Sequence, residues 1–147
     1  MANATKIKKK EEATHKWYVV DVKDMVVGRA SCQIAKYLMG KNDPSYVHHV
    51  DSGAGVIVLN CDKIRITGNK ANSKMYKFYS GYPDGLKEIN FKDMMKKNPK
   101  YIIEHAVKGM LPKTKMADKI MKRLKLYVAA EHPHAAQKPE VLKLNVR

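Results

Sequence analysis

Cysteine is nearly absent: two in 147 residues, Cys32 and Cys61. Two thiols so far apart build neither a disulfide framework nor a cysteine-based zinc site, and both are expected to sit reduced in the core. Long apolar runs are missing as well. None reaches the ~20 residues that a bilayer-spanning helix needs. The opening residues, Met1 to Glu12, lack the apolar stretch of a secretory signal, so a cytoplasmic location is expected. No lipidation signal and no basic helix with large apolar anchors is evident, which argues against a membrane partner. Acidic residues are scarce too: 14 against 29 lysines and arginines, a formal net charge of +15. Self-repulsion on that scale weakens a compact state unless a polyanion offsets it, and nucleic acid is the commonest polyanion.

The length fits one domain, large enough to bury roughly 68–70% of its unfolded surface. Residues 1–15 carry Lys6, Lys8, Lys9 and Lys10 with almost nothing to bury, and read as a flexible basic arm. Residues 16–147 are expected to form a single α/β domain that binds nucleic acid and ends in an extended surface tail from Glu131. Trp17 to Asp21 is short, aromatic and β-branched, as in a central strand covered on both faces. Gly28-Arg29-Ala30-Ser31 opens a helix with Ala30, Ile34 and Leu38 on one face, and Gly40 is placed as its left-handed terminator. Val56 to Asn60 is a second apolar strand, so strand, helix, strand implies a parallel crossover. Ile64 and Ile66 alternate with polar residues, predicting a third strand. Asn69 to Lys74 reads as a basic loop, Met75 to Tyr79 as extended, and Ser80 to Gly85 as a turn. Asn90 is placed to cap a helix. Asn98 and Pro99 stop it and start the next, as cap and first helical residue.

From His105 to Tyr127 apolar and basic residues are packed more densely than anywhere else. Ile102, Ile103, Ala106, Val107 and Met110 recur at helical spacing before Gly109 and Pro112. Beyond them Met116, Ile120 and Leu124 lie four apart, with Lys115, Lys119 and Lys122 on another stripe. This predicts a helix, a turn at Gly109–Pro112, and a second helix that buries one face and presents cations on the other. Leu124 to Val128 then alternates like a final strand.

Motifs for other chemistries are weak. Gly53-Ala54-Gly55 precedes a strand, whereas a phosphate-binding glycine run follows one and opens a helix. The N-terminus of the helix at Gly28 suits a phosphate, with Arg29 adding charge. His48 and His49 are adjacent and point apart if extended; His132 and His134 flank a proline. With no His-Glu-x-x-His pattern, the four fit hydrogen bonding, stacking or phosphate contact better than metal binding. Asp21 and Asp51, with a histidine, are the only candidates for a metal-dependent enzyme acting on nucleic acid, and no third ligand is convincing. A turn or helix-initiating role suits Asp21 better. Gly68-Asn69-Lys70 and Ser80 to Pro83 allow close backbone approach to phosphate, and Tyr76, Tyr79 or Tyr82 is placed to stack on an unpaired base.

Taken together, Lys16-Trp-Tyr-Val-Val-Asp21, Gly28-Arg29, Gly40-Lys41, His49-Val50-Asp51, Ile57-Val58-Leu59-Asn60, Ile66-Thr67-Gly68, Met75-Tyr76, Ser80-Gly81-Tyr82-Pro83, Glu104 to Pro112, Lys122 to Tyr127 and Glu131 to Gln137 resemble one family. It is the universal large-subunit ribosomal protein thirteen, in its bacterial form, and the similarity covers roughly residues 16–144 in order and spacing. Three positions depart from the pattern. Ala117-Asp118 stands where the family usually has Gly-Arg, Phe78-Tyr79 where it commonly has Arg-His, and Val47-His48 where Thr-Pro is usual.

The resemblance implies a three-layer α/β/α sandwich around a mostly parallel four-stranded sheet. It implies a cytoplasmic protein of the large ribosomal subunit that binds large-subunit ribosomal RNA beside neighbouring ribosomal proteins, early in assembly. No catalysis, cofactor, metal or small-molecule substrate goes with it. The expected phosphate contacts are Lys108, Lys113, Lys115, Lys119, Lys122 and Arg123, with Lys70, Lys74 and Lys77 as a second patch. Arg29, Lys41, His48, His49, Tyr82, His132 and His134 complete the expected RNA surface. Gly109 and Pro112 are expected to set turn geometry. A free-standing RNA-binding regulator would use the same surface.

Overall fold

The computed structural model describes residues 15–44 and 46–144; of the arm expected over 1–15, all but His15 lies outside the described residues. The fold is α/β. Strands β1 (Trp17–Asp21), β2 (Gly55–Leu59), β5 (Leu124–Leu126) and β6 (Glu140–Val141) make one sheet in the order β5-β2-β1-β6, with every pair parallel. Strands β3 (Met75–Tyr79) and β4 (Leu86–Asn90) pair antiparallel as a separate two-stranded ribbon. The helices are α1 (Val27–Met39), α2 (Lys70–Ser73), α3 (Phe91–Lys97), α4 (Pro99–Met110) and α5 (Lys115–Met121).

Alternation sorts the two sheet faces. Val20, Val56 and Val58 join the main core with Ile34 and Leu38 of α1, Ile102, Ile103 and Val107 of α4, and Ile120 of α5. On the other face Val19, Ile57 and Leu59 form a smaller cluster closed by Trp17 and Tyr127. β2 is buried at all five positions, as its unbroken apolar run predicts for a strand flanked on both sides. Gly40 ends α1 in the left-handed region at φ 79°, its N–H bonded to the Lys36 and Tyr37 carbonyls. Asn98 caps α4 by accepting the Tyr101 N–H, with Pro99 at the first turn.

Several local expectations need correction. Residues 64–67 do not form a sheet strand; Arg65 alone bridges, to Val26. Asn60 turns left-handed at φ 56° and a 3-10 turn over Cys61–Lys63 follows, which carries the chain away from the sheet edge. The fourth strand comes instead from the tail, as β6 beside β1. The basic loop holds a single helical turn, α2. β4 was not expected, because charged Lys87 and Glu88 interrupt its alternation. Asn90 stands at the α3 N-cap but makes no side-chain cap bond. Helix α4 runs straight through Gly109 and stops at Leu111, which is extended at φ −82°, ψ 151°. Pro112 causes this, since the residue before a proline is pushed out of the helical region. Cys61 is buried, but Cys32 is exposed on the outer face of α1.

Candidate nucleic-acid interface

Helix α5 places its residues as the two stripes require. Ile120 is buried, Met116, Ala117 and Met121 pack on the core, and Lys115, Asp118 and Lys119 face outward. Lys122 follows the helix and is exposed, as are Lys113 in the preceding link and Lys108 in the last turn of α4. Among the described residues none of these five lysines forms an ion pair with a carboxylate. Lys108 and Lys122 line one shallow depression together with Glu104, Asp118 and Met121, so two acids stand at its edge. Asp118 lies in the first turn of α5, where a carboxylate suits the positive end of the helix.

Arg123 does not share that surface, which corrects its expected role as a phosphate contact. Its guanidinium points inward, with the side chain 12% exposed, and donates through both terminal nitrogens to the two Asp51 oxygens. One of those nitrogens also lies 3.4 Å from the Leu38 carbonyl, at the end of α1. Planar guanidinium and carboxylate match two to two, a fit that lysine cannot make. Burial pushes the Asp51 carboxyl up, but the hydrogen bond and charge of Arg123 outweigh it and hold the group below the ordinary carboxylate range. The neighbouring Gly53 makes this junction possible. A Cβ there would stand 1.7 Å from the Leu38 carbonyl oxygen, and its own carbonyl oxygen lies 2.7 Å from His15 Nδ1.

The other expected contacts divide in the same way. Arg29, Lys41, His49, Lys70 and Tyr82 are exposed. His48 is exposed too, its Nδ1 3.0 Å from the Tyr46 hydroxyl. It lines a cleft with Pro112, Thr114 and Met116, so the structure brings it to the start of the basic helix. Lys77 pairs across the ribbon with Glu88 at 2.7 Å, and the Lys74 ammonium sits 5.3 Å from the Tyr76 ring centroid. Tyr76 is 3% exposed, so it cannot stack on a base; burial, then Tyr101, raises the pKa of its hydroxyl. Tyr79 and Tyr82 remain open.

His134 is half-buried, 2.8 Å from the Tyr127 hydroxyl through Nε2, and its ring is stacked on Trp17. Its N–H donates to His132 Nδ1 at 3.2 Å. These two histidines therefore dock the tail on the smaller core face. Lys87 and Lys97, which no sequence motif marks, flank an open groove on the ribbon. Lys87 lies in β4 and Lys97 at the end of α3, so recognising β4 in Leu86 to Asn90 brings the two together.

The two acids weighed for metal chemistry are kept apart. Asp21 ends β1 and accepts the Lys23 N–H and the Asn60 side-chain amide, at 3.0 and 2.9 Å. Asp51 lies before the start of β2, at the opposite end of the parallel strands, where Trp17 pairs with Gly55. Five strand residues at about 3.3 Å each separate those ends, too far for two carboxylates to share a metal site.

The ribosomal protein L13 family model matches residues 15–133. The large ribosomal subunit protein uL13 of Thermoanaerobacter sp. (strain X514) is 54% identical over 134 residues, covering 91% of this chain and 94% of that protein. The uL13 protein of Thermotoga maritima is 52% identical over 136 residues, covering 92% and 91%. That of Petrotoga mobilis is 48% identical over 136 residues, covering 92% and 90%.

Proposed function

The chain belongs to the ribosomal protein L13 family, and from that premise we propose that it is a structural component of the large ribosomal subunit, binds large-subunit ribosomal RNA and supports early assembly. The family is that of a ribosomal structural protein and not of an enzyme, which places the chain's working location on the ribosome. One observation carries the RNA reading. Lys108, Lys113, Lys115, Lys119 and Lys122 are exposed along the end of α4, the link and α5, whose other face is in the core, and among the described residues none pairs with a carboxylate. Isolated surface lysines need no explanation, but five on one connected segment of a chain at +15 make a phosphate-binding face. Lys108, Lys113, Lys115, Lys119 and Lys122 form its centre. Arg29, Lys41, His48, His49, Lys70, Lys74, Lys77 and Tyr82 extend it, and shape and backbone readout dominate over base readout.

Sedimentation of a lysate in moderate salt tests the ribosomal assignment: the protein travels with large subunits, and its retention at the top of the gradient would refute the proposal. Binding of Lys119→Glu with Lys122→Glu to large-subunit ribosomal RNA tests the surface. Affinity falls, and the slope of log K against log salt becomes shallower by about 0.7–0.9 per lost contact. An unchanged slope would remove α5 from the interface.

A further inference from the structure

The β3–β4 ribbon packs its inner face on α3 and α4, but it leaves a gap. Phe78, Ile89, Met94 and Tyr101 wall an open groove of about 300 Å³, with Lys87, Lys97 and Asn98 at its rim. The wall is aromatic: the Phe78 and Tyr101 ring centroids are 5.4 Å apart at 41°, and Tyr101 lies 5.9 Å from Tyr76 behind it. Phe78, Ile89 and Tyr101 are only half-buried, so the groove has apolar surface left to cover. The Asn98 side-chain oxygen is taken by the Tyr101 N–H, which leaves its amide NH₂ as a donor. Among the described residues neither rim lysine pairs with a carboxylate.

This chemistry selects the occupant. An apolar side chain of a protein neighbour would use the rings and gain nothing from two cations at the edge. A nucleotide uses both, because every base has a π face and every base is tied to phosphates. The volume lies at the small end of ligand-sized cavities. Phe78 also belongs to one of the three departures from the family pattern, so this ring of the wall stands where the family commonly has another residue. Resting on the RNA-binding reading above, we infer that the groove takes an unpaired RNA base, stacked against Phe78 and Tyr101, with Lys87 and Lys97 on the flanking phosphates. The Asn98 amide then donates to the edge of the base.

The test uses the full chain and fluorescence anisotropy with two probes of equal length, an oligoadenylate and its abasic ribose-phosphate counterpart. Wild type binds the oligoadenylate more tightly. Phe78→Ala weakens that probe about 5- to 100-fold and leaves the abasic probe unchanged. Phe78→Leu keeps the apolar volume and the fold but loses the ring, and it behaves like Phe78→Ala; Phe78→Trp retains binding. Lys87→Glu with Lys97→Glu weakens both probes and flattens the salt slope. If both ring-removing variants match wild type while Lys119→Glu with Lys122→Glu still weakens both probes, the base site is wrong and the RNA reading stands. If wild type binds neither probe nor large-subunit ribosomal RNA, the RNA reading itself fails. If Phe78→Ala leaves RNA binding intact but displaces a neighbouring protein from isolated subunits, the groove holds a protein side chain and the proposal is overturned.

Discussion

Lys122 and Arg123 are neighbours in the chain with opposite surroundings. Lys122 stands in solvent past the end of α5, beside Lys108 across a shallow depression. Arg123 turns under it, to a carboxylate 72 residues away, and ties the end of α1, the 48–53 loop and the start of β5 together. The outer region contributes little to stability, since exposed cations lose and gain similar hydration in both states. The inner one is the reverse. Removing one partner strands a charge that is largely shielded from water. One density of positive charge thus divides into an exposed lysine face, the one proposed to bind RNA, and a structural joint beneath it.

Substitution at the joint has the largest effect. Arg123→Ala leaves Asp51 unpaired at a site with some residual exposure and costs about 3 kcal/mol, the low end for a buried pair. For a chain of this length that lowers Tm by roughly 6–12 °C in a circular dichroism melt. A variant with unchanged Tm and weakened RNA binding would return Arg123 to the surface. Gly53→Ala follows at about 1–3 kcal/mol, because the methyl group collides with the backbone at Leu38. A melt reads it, and an unshifted Tm would mean that the loop can move aside.

The joint also carries a pH signature. Asp51 titrates below its ordinary value in the folded protein, so its contribution is present above the unfolded pKa, about 3.9, and is lost as pH falls through the folded one. The stability gap between wild type and Asp51→Asn is constant near neutrality and closes below about pH 4. A gap that persists in acid would show that the pair is not its source. The smallest effect on stability belongs to the outer region. Lys119→Glu with Lys122→Glu keeps stability within about 0.5 kcal/mol per change while the RNA salt slope falls. A thiol reagent at neutral pH draws the same contrast between exposed and buried groups. It modifies Cys32 and spares Cys61, whose pKa burial pushes up to about 11.

Much of the fold was legible because the apolar periodicities are strong. The run Val56 to Leu59 reads as a buried strand and is one, and Met116 and Ile120 turn to the core as their helical spacing requires, whereas Leu124 is buried from strand β5. The ribbon was half legible, since Lys87 and Glu88 hide the alternation of β4 and with it the aromatic groove. The tail strand was not legible: Glu140 and Val141 pair through backbone alone, and Val141 stays 81% exposed.

Composition alone set the charge that favours a polyanionic partner, 29 basic residues against 14 acidic ones. Local pattern determined that α5 buries one face and charges the other. Only the tertiary structure decided which cations face solvent and which one is bound to a carboxylate inside the fold. A guanidinium pairs with whatever carboxylate the fold brings within hydrogen-bond reach, and Asp51 meets Arg123 only where α1, the 48–53 loop and β5 pack together.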